Sequence, residues 1–335
     1  MTRNVFLGAD LSPAINATTI EGAIDGSGQI YNELVSTNFP ERAVPLAKEI
    51  NEAKPDLVGL QEVADWTTQV PSDIGGPPIN PNGQAASDPL YDFLALLNAQ
   101  LGNKYRVVGT QDEFEAELPA DTDGSDATGG FAGADRDVRL KMRDVILARK
   151  GVDTSKLDMD HFKTRFETSV GSVPVAADRG WLSVQAKVGD AKFRFVNTHL
   201  EAFGDPKIRE AQAKELVAGP LKTKKQVVLV GDLNSGTTKR HNIGRPELGH
   251  DPDDPLAFKV LQKAKFTDNG AVQSCCYKSM FDPTLELTHT VDHVLSKPGL
   301  KSTGEFVTGN DPAERTPSGL WPSDHGGVVS TLTVP

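Results

Sequence analysis

Ser323-Asp324-His325 stands at the lip of the last apolar run of the chain, "SGLWPSDHGGVVSTLTVP" (318–335). An Asp-His pair fixes an imidazole tautomer and raises its pKa, which suits proton transfer or a cationic grip on phosphate. Taken alone, a histidine in a turn reads as structural as readily as catalytic. Other apolar runs also end in polar groups. In "DLVGLQEV", Glu62 follows a strand-like run and can either bind a divalent cation or cap the next segment. In "VNTHLEA", strand alternation puts Asn197, His199 and Glu201 on one face. In "VVLVGDLNS", Asp232 and Asn234 lie two apart, a carboxylate for water or metal and an amide for a charged oxygen. An Asp-x-Asn turn that satisfies its own backbone is the alternative. "TVDHVLS" buries Asp292 and His293 in an apolar strand; Asp292 is costly to bury unpaired, and His325 is its candidate partner.

These groups need strands that end on one rim. Apolar runs of strand length occur at 4–8, 56–60, 105–110, 143–149, 226–232, 290–296 and 326–334. "WLSVQAKVGDAKFRFVNTH" (181–199) reads as a hairpin turning at Gly189-Asp190. Helices are expected between them. "FPERAVPLAKEINEAK" has prolines at its start and puts Val44, Leu46, Ala47 and Ile50 on one side, while Asp-Pro pairs at Asp88, Asp205 and Asp254 open three more. Hairpin-linked and helix-linked strands together fit an α/β fold of two sheets packed face to face with helices outside. The chain reads as one domain over 1–335, with Gly/Pro/Asp-rich rim loops at 66–88, 111–136, 151–178, 235–254 and 300–322. Gly326 and Gly327, behind His325, read as room for a phosphate to approach.

Bulk properties narrow the function. The chain has 335 residues, 24% charged and 38% hydrophobic, as in a globular enzyme. No apolar run is long enough for a transmembrane helix. Its 46 acidic and 35 basic residues give a net charge of −11, which counts against a nonspecific nuclease. The basic runs "LKTKKQ" (221–226) and "TKRHNIGR" (238–245) read as a helix end and a loop. Cys275 and Cys276 match no zinc spacing and read as either a vicinal disulfide or two idle thiols. An apolar strand starting almost at residue one suggests a secreted chain whose export signal has been removed. Oligomeric state is not legible.

"NVFLGADL", "PDLVGLQEV", "FVNTHLEA", "VVLVGDLNS", "TVDHVLS" and "PSDHGGV" occur in an order that resembles the endonuclease/exonuclease/phosphatase (deoxyribonuclease-I-like) superfamily. The "NTHLEA" form looks closest to bacterial sphingomyelinase-like and uncharacterised exported members. The resemblance spans nearly the whole chain and implies a four-layer α/β sandwich, two mixed β-sheets flanked by helices. It implies a Mg²⁺-dependent phosphohydrolase (Mn²⁺ as substitute) acting by in-line attack of water. The favoured substrate is a small or lipid phosphodiester; the alternatives are nucleic acid, a phosphomonoester, or binding without catalysis. By position, Glu62 resembles the principal metal ligand, Asn4 lies beside the metal with Asp10 as its rival, and Asp324 touches the metal or its waters. His199 resembles the donor to the scissile phosphate. Asp232 and Asn234 resemble the pair that orients the nucleophile and binds a phosphate oxygen, and Asp292 the partner of His325. Arg143, Asp144 and Arg179 read equally as phosphate contacts or as fold-stabilising ion pairs. No acidic residue behind His199 is identifiable.

Overall fold

A computed structural model describes residues 1–74, 83–125, 131–170, 173–236, 254–297 and 299–333. The first sheet comprises β1 (Thr2–Asn4), β2 (Leu57–Gln61), β3 (Asp65–Gln69), β4 (Asp88–Asp92), β5 (Tyr105–Ala120) and β6 (Arg136–Arg149), with β15 (Lys301–Thr308) and β16 (Gly327–Thr333). The second comprises β7 (Asp153–His161), β10 (Gly180–Val188), β11 (Ala191–His199), β12 (Gln226–Asp232), β13 (Thr267–Asp268) and β14 (Asp292–Ser296). β8 (Phe166–Val170) and β9 (Val173–Ala177) pair as a separate two-stranded ribbon.

Both sheets are mixed. β1 runs parallel to β2 and β11 parallel to β12, while the β10–β11 hairpin turns at Gly189 and Asp190. α1 (Ser12–Ile15), α2 (Ile20–Ser36), α3 (Phe39–Ala53) and α4 (Phe93–Leu101) cover the outer face of the first sheet. α5 (Pro206–Ala218) and α6 (Leu256–Lys263) cover the second. Leu57, Ile146, Leu182, Val184, Phe195 and Val228 fill the space between the sheets. The result is the expected four-layer α/β sandwich.

Asn197 belongs to that inner layer and not to the site. It is buried, donates to the carbonyls of Leu60 and Val145 across the seam, and accepts from Gln61 Nε2 at 2.6 Å. Gly59 makes room for it, because a Cβ there would lie 2.3 Å from Asn197 Oδ1.

Several expectations are corrected by tertiary pairing. Asp88 and Pro89 lie in β4, paired with β3, so α4 starts later; Asp92 caps it through the Leu94 and Ala95 amides. The first strand ends at Asn4. Val44 is 52% exposed, off the buried side of α3. Much of the expected loop sequence is strand: β3 takes 65–69, β5 runs on to 120, β7, β8 and β9 fill most of 153–177, and β15 takes 301–308. β7 and β15 are largely exposed, so their sequence carries no apolar signal. The expected loop at 235–254 lies mostly outside the described residues. Among the described residues, no helix is long and apolar enough to cross a membrane.

Candidate active site

Register builds half of the site. His199 pairs with Asp232 across β11 and β12, and Asp232 with Asp292 across β12 and β14. Three polar residues thus stand side by side on adjacent strands at one rim. Asp232 is the centre. His199 Nε2 lies 3.6 Å and His325 Nε2 3.8 Å from its Oδ2, and its Oδ1 accepts the Asn234 amide at 2.8 Å. Asn234 Nδ2 sits 3.2 Å from His199 Nε2 and donates to the Leu200 carbonyl.

The first sheet supplies the other half. Asn4, at the end of β1, donates its amide to Glu62 Oε1 at 3.0 Å and to Asp232 Oδ2 at 3.1 Å, while its Oδ1 accepts from the Phe6 amide. Glu62 Oε2 accepts from Leu7 N. Ser323 Oγ donates to the Asn4 carbonyl, and the Arg3 guanidinium donates to the His325 carbonyl, which ties the 323–325 turn to β1. Arg42, buried on α3, donates to the carbonyls of Val5, Phe6 and Pro322. That clamp fixes the loop carrying Asp324. Asp10, the rival of Asn4, is engaged instead with Ser12.

His325 Nδ1 lies 2.8 Å from Asp292 Oδ2, which also accepts from Ser274 Oγ at 2.7 Å. Burial alone would lower the His325 pKa, but Asp292, Asp324 and Asp232 outweigh it and hold the imidazole well above its usual value. Burial, reinforced by Asp292, pushes Asp232 up to about 7. Burial and Glu62 push Asp324 up to about 6. Cys276, joined to Cys275 in a vicinal disulfide, places its Sγ 3.9 Å from His325 Nε2.

His199 is held differently. Arg179 Nη1 lies 2.8 Å from its Nδ1. A guanidinium only donates, so Nδ1 accepts, and the ring proton of the neutral imidazole sits on Nε2, facing Asp232. Arg179 is buried among Glu201, Glu113, Glu62 and Asp144; burial would lower its pKa, and these carboxylates raise it instead. Asp144 faces the Glu62 amide and Glu113 the Gly180 amide, and burial above all raises both carboxyls well above the usual range. Arg143 turns away from the site to Asp92 and the Val63 carbonyl. Glu201 is buried beside Arg179 Nε at 3.7 Å. Sequence reading missed Glu113, Ser274 and Arg42. Glu113 sits at a bulge between Asp112 and Phe114 that breaks alternation; a serine in a loop and an arginine in a helix carry no local signal.

Glu62, Asp324 and Asp232 offer hard oxygen donors on one rim, Glu62 and Asp232 bridged by the Asn4 amide. Such a set fits a divalent cation of the Mg²⁺ or Mn²⁺ kind. Among the described residues, the ligand atoms of Asp232, Asp292 and His325 lie within 4.8 Å of one another, a tighter group than any that includes Glu62 or Asp324, while the Cys275 and Cys276 sulfurs beside His325 are tied up in their disulfide. Asn4 presents its amide nitrogen to both Glu62 and Asp232 and so holds these carboxylates side by side.

Residues 28–325 match the Endonuclease/Exonuclease/phosphatase family, and the chain belongs to it. Its members are phosphoesterases and nucleases that generally use a divalent metal. Solved structures share the fold at low identity. A mannosyl-6-phosphatase from Bacteroides thetaiotaomicron is 16% identical with a TM-score of 0.53, covering 99% of this chain and 98% of that one. An endonuclease/exonuclease/phosphatase from Beutenbergia cavernae is 18% identical with a TM-score of 0.54, covering 99% of this chain and 70% of that one. A conserved protein of unknown function from Enterococcus faecalis is 14% identical with a TM-score of 0.54, covering 100% and 98%. No curated protein sequence matches the chain.

Proposed function

We propose that the protein is a Mg²⁺-dependent phosphodiesterase acting on a small or lipid phosphodiester. The observation that carries this reading is Asp232 between two Nε2 atoms at 3.6 and 3.8 Å, beside the Glu62–Asp324 carboxylates. Glu62 and Asp324 would hold the metal, which would supply positive charge to offset the negative charge of the phosphate. His199 Nε2–H and the Asn234 amide donate to a phosphoryl oxygen. Asp232 takes a proton from the attacking water as the water oxygen bonds to phosphorus, a task suited to its pKa of about 7. The ester P–O bond breaks on the opposite side, and the departing oxygen takes its proton from His325. The proton on Asp232 then recharges His325 and resets the site.

The rim chemistry favours a small or lipid substrate over a polynucleotide. Among the described residues lining the cleft, Arg179 and Lys278 are the arginines and lysines, against seven carboxylates including Asp10, Glu33 and Glu62. Lys222, Lys224 and Lys225 precede Gln226, at the far end of β12 from Asp232, roughly 20 Å away at strand rise. Arg240 and Arg245 lie outside the described residues.

The test is hydrolysis of bis-4-nitrophenyl phosphate, lysophospholipid, sphingomyelin and plasmid DNA, with chelator and with Mg²⁺ or Mn²⁺ restored. Chelation is expected to abolish turnover, and Glu62→Gln to lower it at least about a hundredfold. Turnover that survives chelation, or DNA cleavage with none of the other diesters cut, overturns the proposal.

A further inference from the structure

The cleft that holds Asp232, Asp324 and His325 extends past them, to about 850 Å³ in all, the size of a small-molecule site. Beyond the phosphate-handling groups its walls turn apolar. Phe114 and Leu118 of β5, Leu140 and Met142 of β6, and Ile15 and Ile30 of α1 and α2 face it. Phe166, Val170 and Val175 of the β8–β9 ribbon form another wall, and the ribbon packs on α1 and β5. Leu140 and Met142 are 3% exposed and Val170 5%, so the wall is core surface and not a rim.

We infer that this cavity takes the single unbranched alkyl or acyl chain of an amphiphilic phosphodiester, drawn inside the fold while the phosphate rests on the rim. The inference rests on the phosphodiesterase reading and adds where the apolar part of the substrate goes. Three observations carry it. The apolar walls are continuous with the phosphate-handling groups, so one molecule spans both. The nearby carboxylates are already engaged: Asp10 accepts from Ser12, Glu33 accepts from the Asp10 amide, and Glu115 and Glu117 are paired with Arg139. A polar guest would therefore have to displace a hydrogen bond or ion pair that these carboxylates already make. Small side chains at Ala14, Ala116, Ala176 and Ala177 keep the volume open, and apolar volume of this kind favours an apolar guest over water.

The experiment is a chain-length series of 4-nitrophenyl alkyl phosphates, methyl to hexadecyl, kept below micelle formation. The expected result is a rise in kcat/KM of about threefold to fourfold per methylene until the cavity is full, then a plateau. Ala116→Leu and Ala176→Leu should each move the plateau to shorter chains and lower the dodecyl-to-methyl ratio at least about tenfold, with melting temperature as the folding control. Hydrolysis of the methyl ester with a flat series overturns this inference and leaves the phosphodiesterase reading standing. If no ester is cut, calorimetric titration with dodecyl phosphate against methyl phosphate decides. Much tighter dodecyl binding supports the chain site while the catalytic reading fails; equal binding overturns both. Two-chain lipid vesicles cut faster than monomeric single-chain esters would also overturn it, since that places the apolar part in a bilayer.

Discussion

His199 and His325 approach Asp232 from two sides, and what lies behind each ring is opposite in kind. Behind His325 stands a carboxylate, Asp292, with Ser274 on the same oxygen. Behind His199 stands a guanidinium, Arg179. The first arrangement favours a charged imidazole, and the second admits only a neutral ring with its proton on Nε2. Both thus point an N–H at Asp232, one from a cation and one from a neutral donor. The same residue type on one rim serves two purposes because its Nδ1 partner, not its position, sets its charge.

The strongest way to break this contrast is at His325 itself. His325→Asn should lower kcat by about 10³-fold on an alkyl leaving group and clearly less on 4-nitrophenolate, which leaves unaided. An equal loss on both would deny His325 the acid role. Asp292→Asn keeps the hydrogen-bonding shape but removes the charge that raises the imidazole pKa. It should cost about 10²-fold and move the alkaline limb of the kcat/KM profile to lower pH, since a lowered pKa empties the protonated form sooner. An unmoved limb would show that another group sets it.

On the other side, Arg179→Gln should lower kcat about tenfold to a hundredfold with the alkaline limb in place, because His199 carries no charge to lose. It should also destabilise the fold by about 3–5 kcal/mol, measured by urea unfolding, because the buried Glu201 loses its cation. A shifted limb would collapse the contrast between the two histidines.

The smallest effect is expected at His293, which copies the His325 pattern away from the site. Its Nδ1 lies 2.9 Å from Asp268, its Nε2 3.0 Å from the Ser235 carbonyl, and its ring stacks on Phe258. Burial alone would lower its pKa, yet Asp268 and the Ser235 carbonyl raise it. A raised folded-state pKa gives stability that is fully present below the unfolded value of about 6.5 and is lost as pH climbs through the folded value. His293→Gln should therefore lower Tm more at pH 5.5 than at pH 9, with kcat little changed. A Tm difference that grows with pH would contradict the assignment.

Much of the rim was legible because polar residues at the ends of buried strands are a local pattern: Glu62, His199 and Asp232 each close an apolar run, and Asp292 opens one. Their mutual register was not, since pairing His199 with Asp232 and Asp292 depends on which strands neighbour one another. Arg179 was visible as a residue but not as the partner of His199, a contact made across the start of β10. Alternation also misled at Asn197, whose face of β11 is the seam between the sheets. Gly326 and Gly327 were read as access for phosphate. Their added Cβ atoms would instead meet Val307, Leu287 and Thr308, so they serve packing of β16 against β15.

The bond from Ser323 Oγ to the Asn4 carbonyl joins residues 319 apart in sequence. β1 sits between β2 and β16, so both of its edges are paired only once β16 is in place. A polypeptide cut before Pro322 has Glu62, His199 and Asp232 in hand but lacks the imidazole that faces Asp292 and the Ser323 hydroxyl that ties the turn to Asn4. Truncated translation products should therefore be silent whatever structure they reach. Turnover thus reports that the 323–325 turn and β16 have docked on β1.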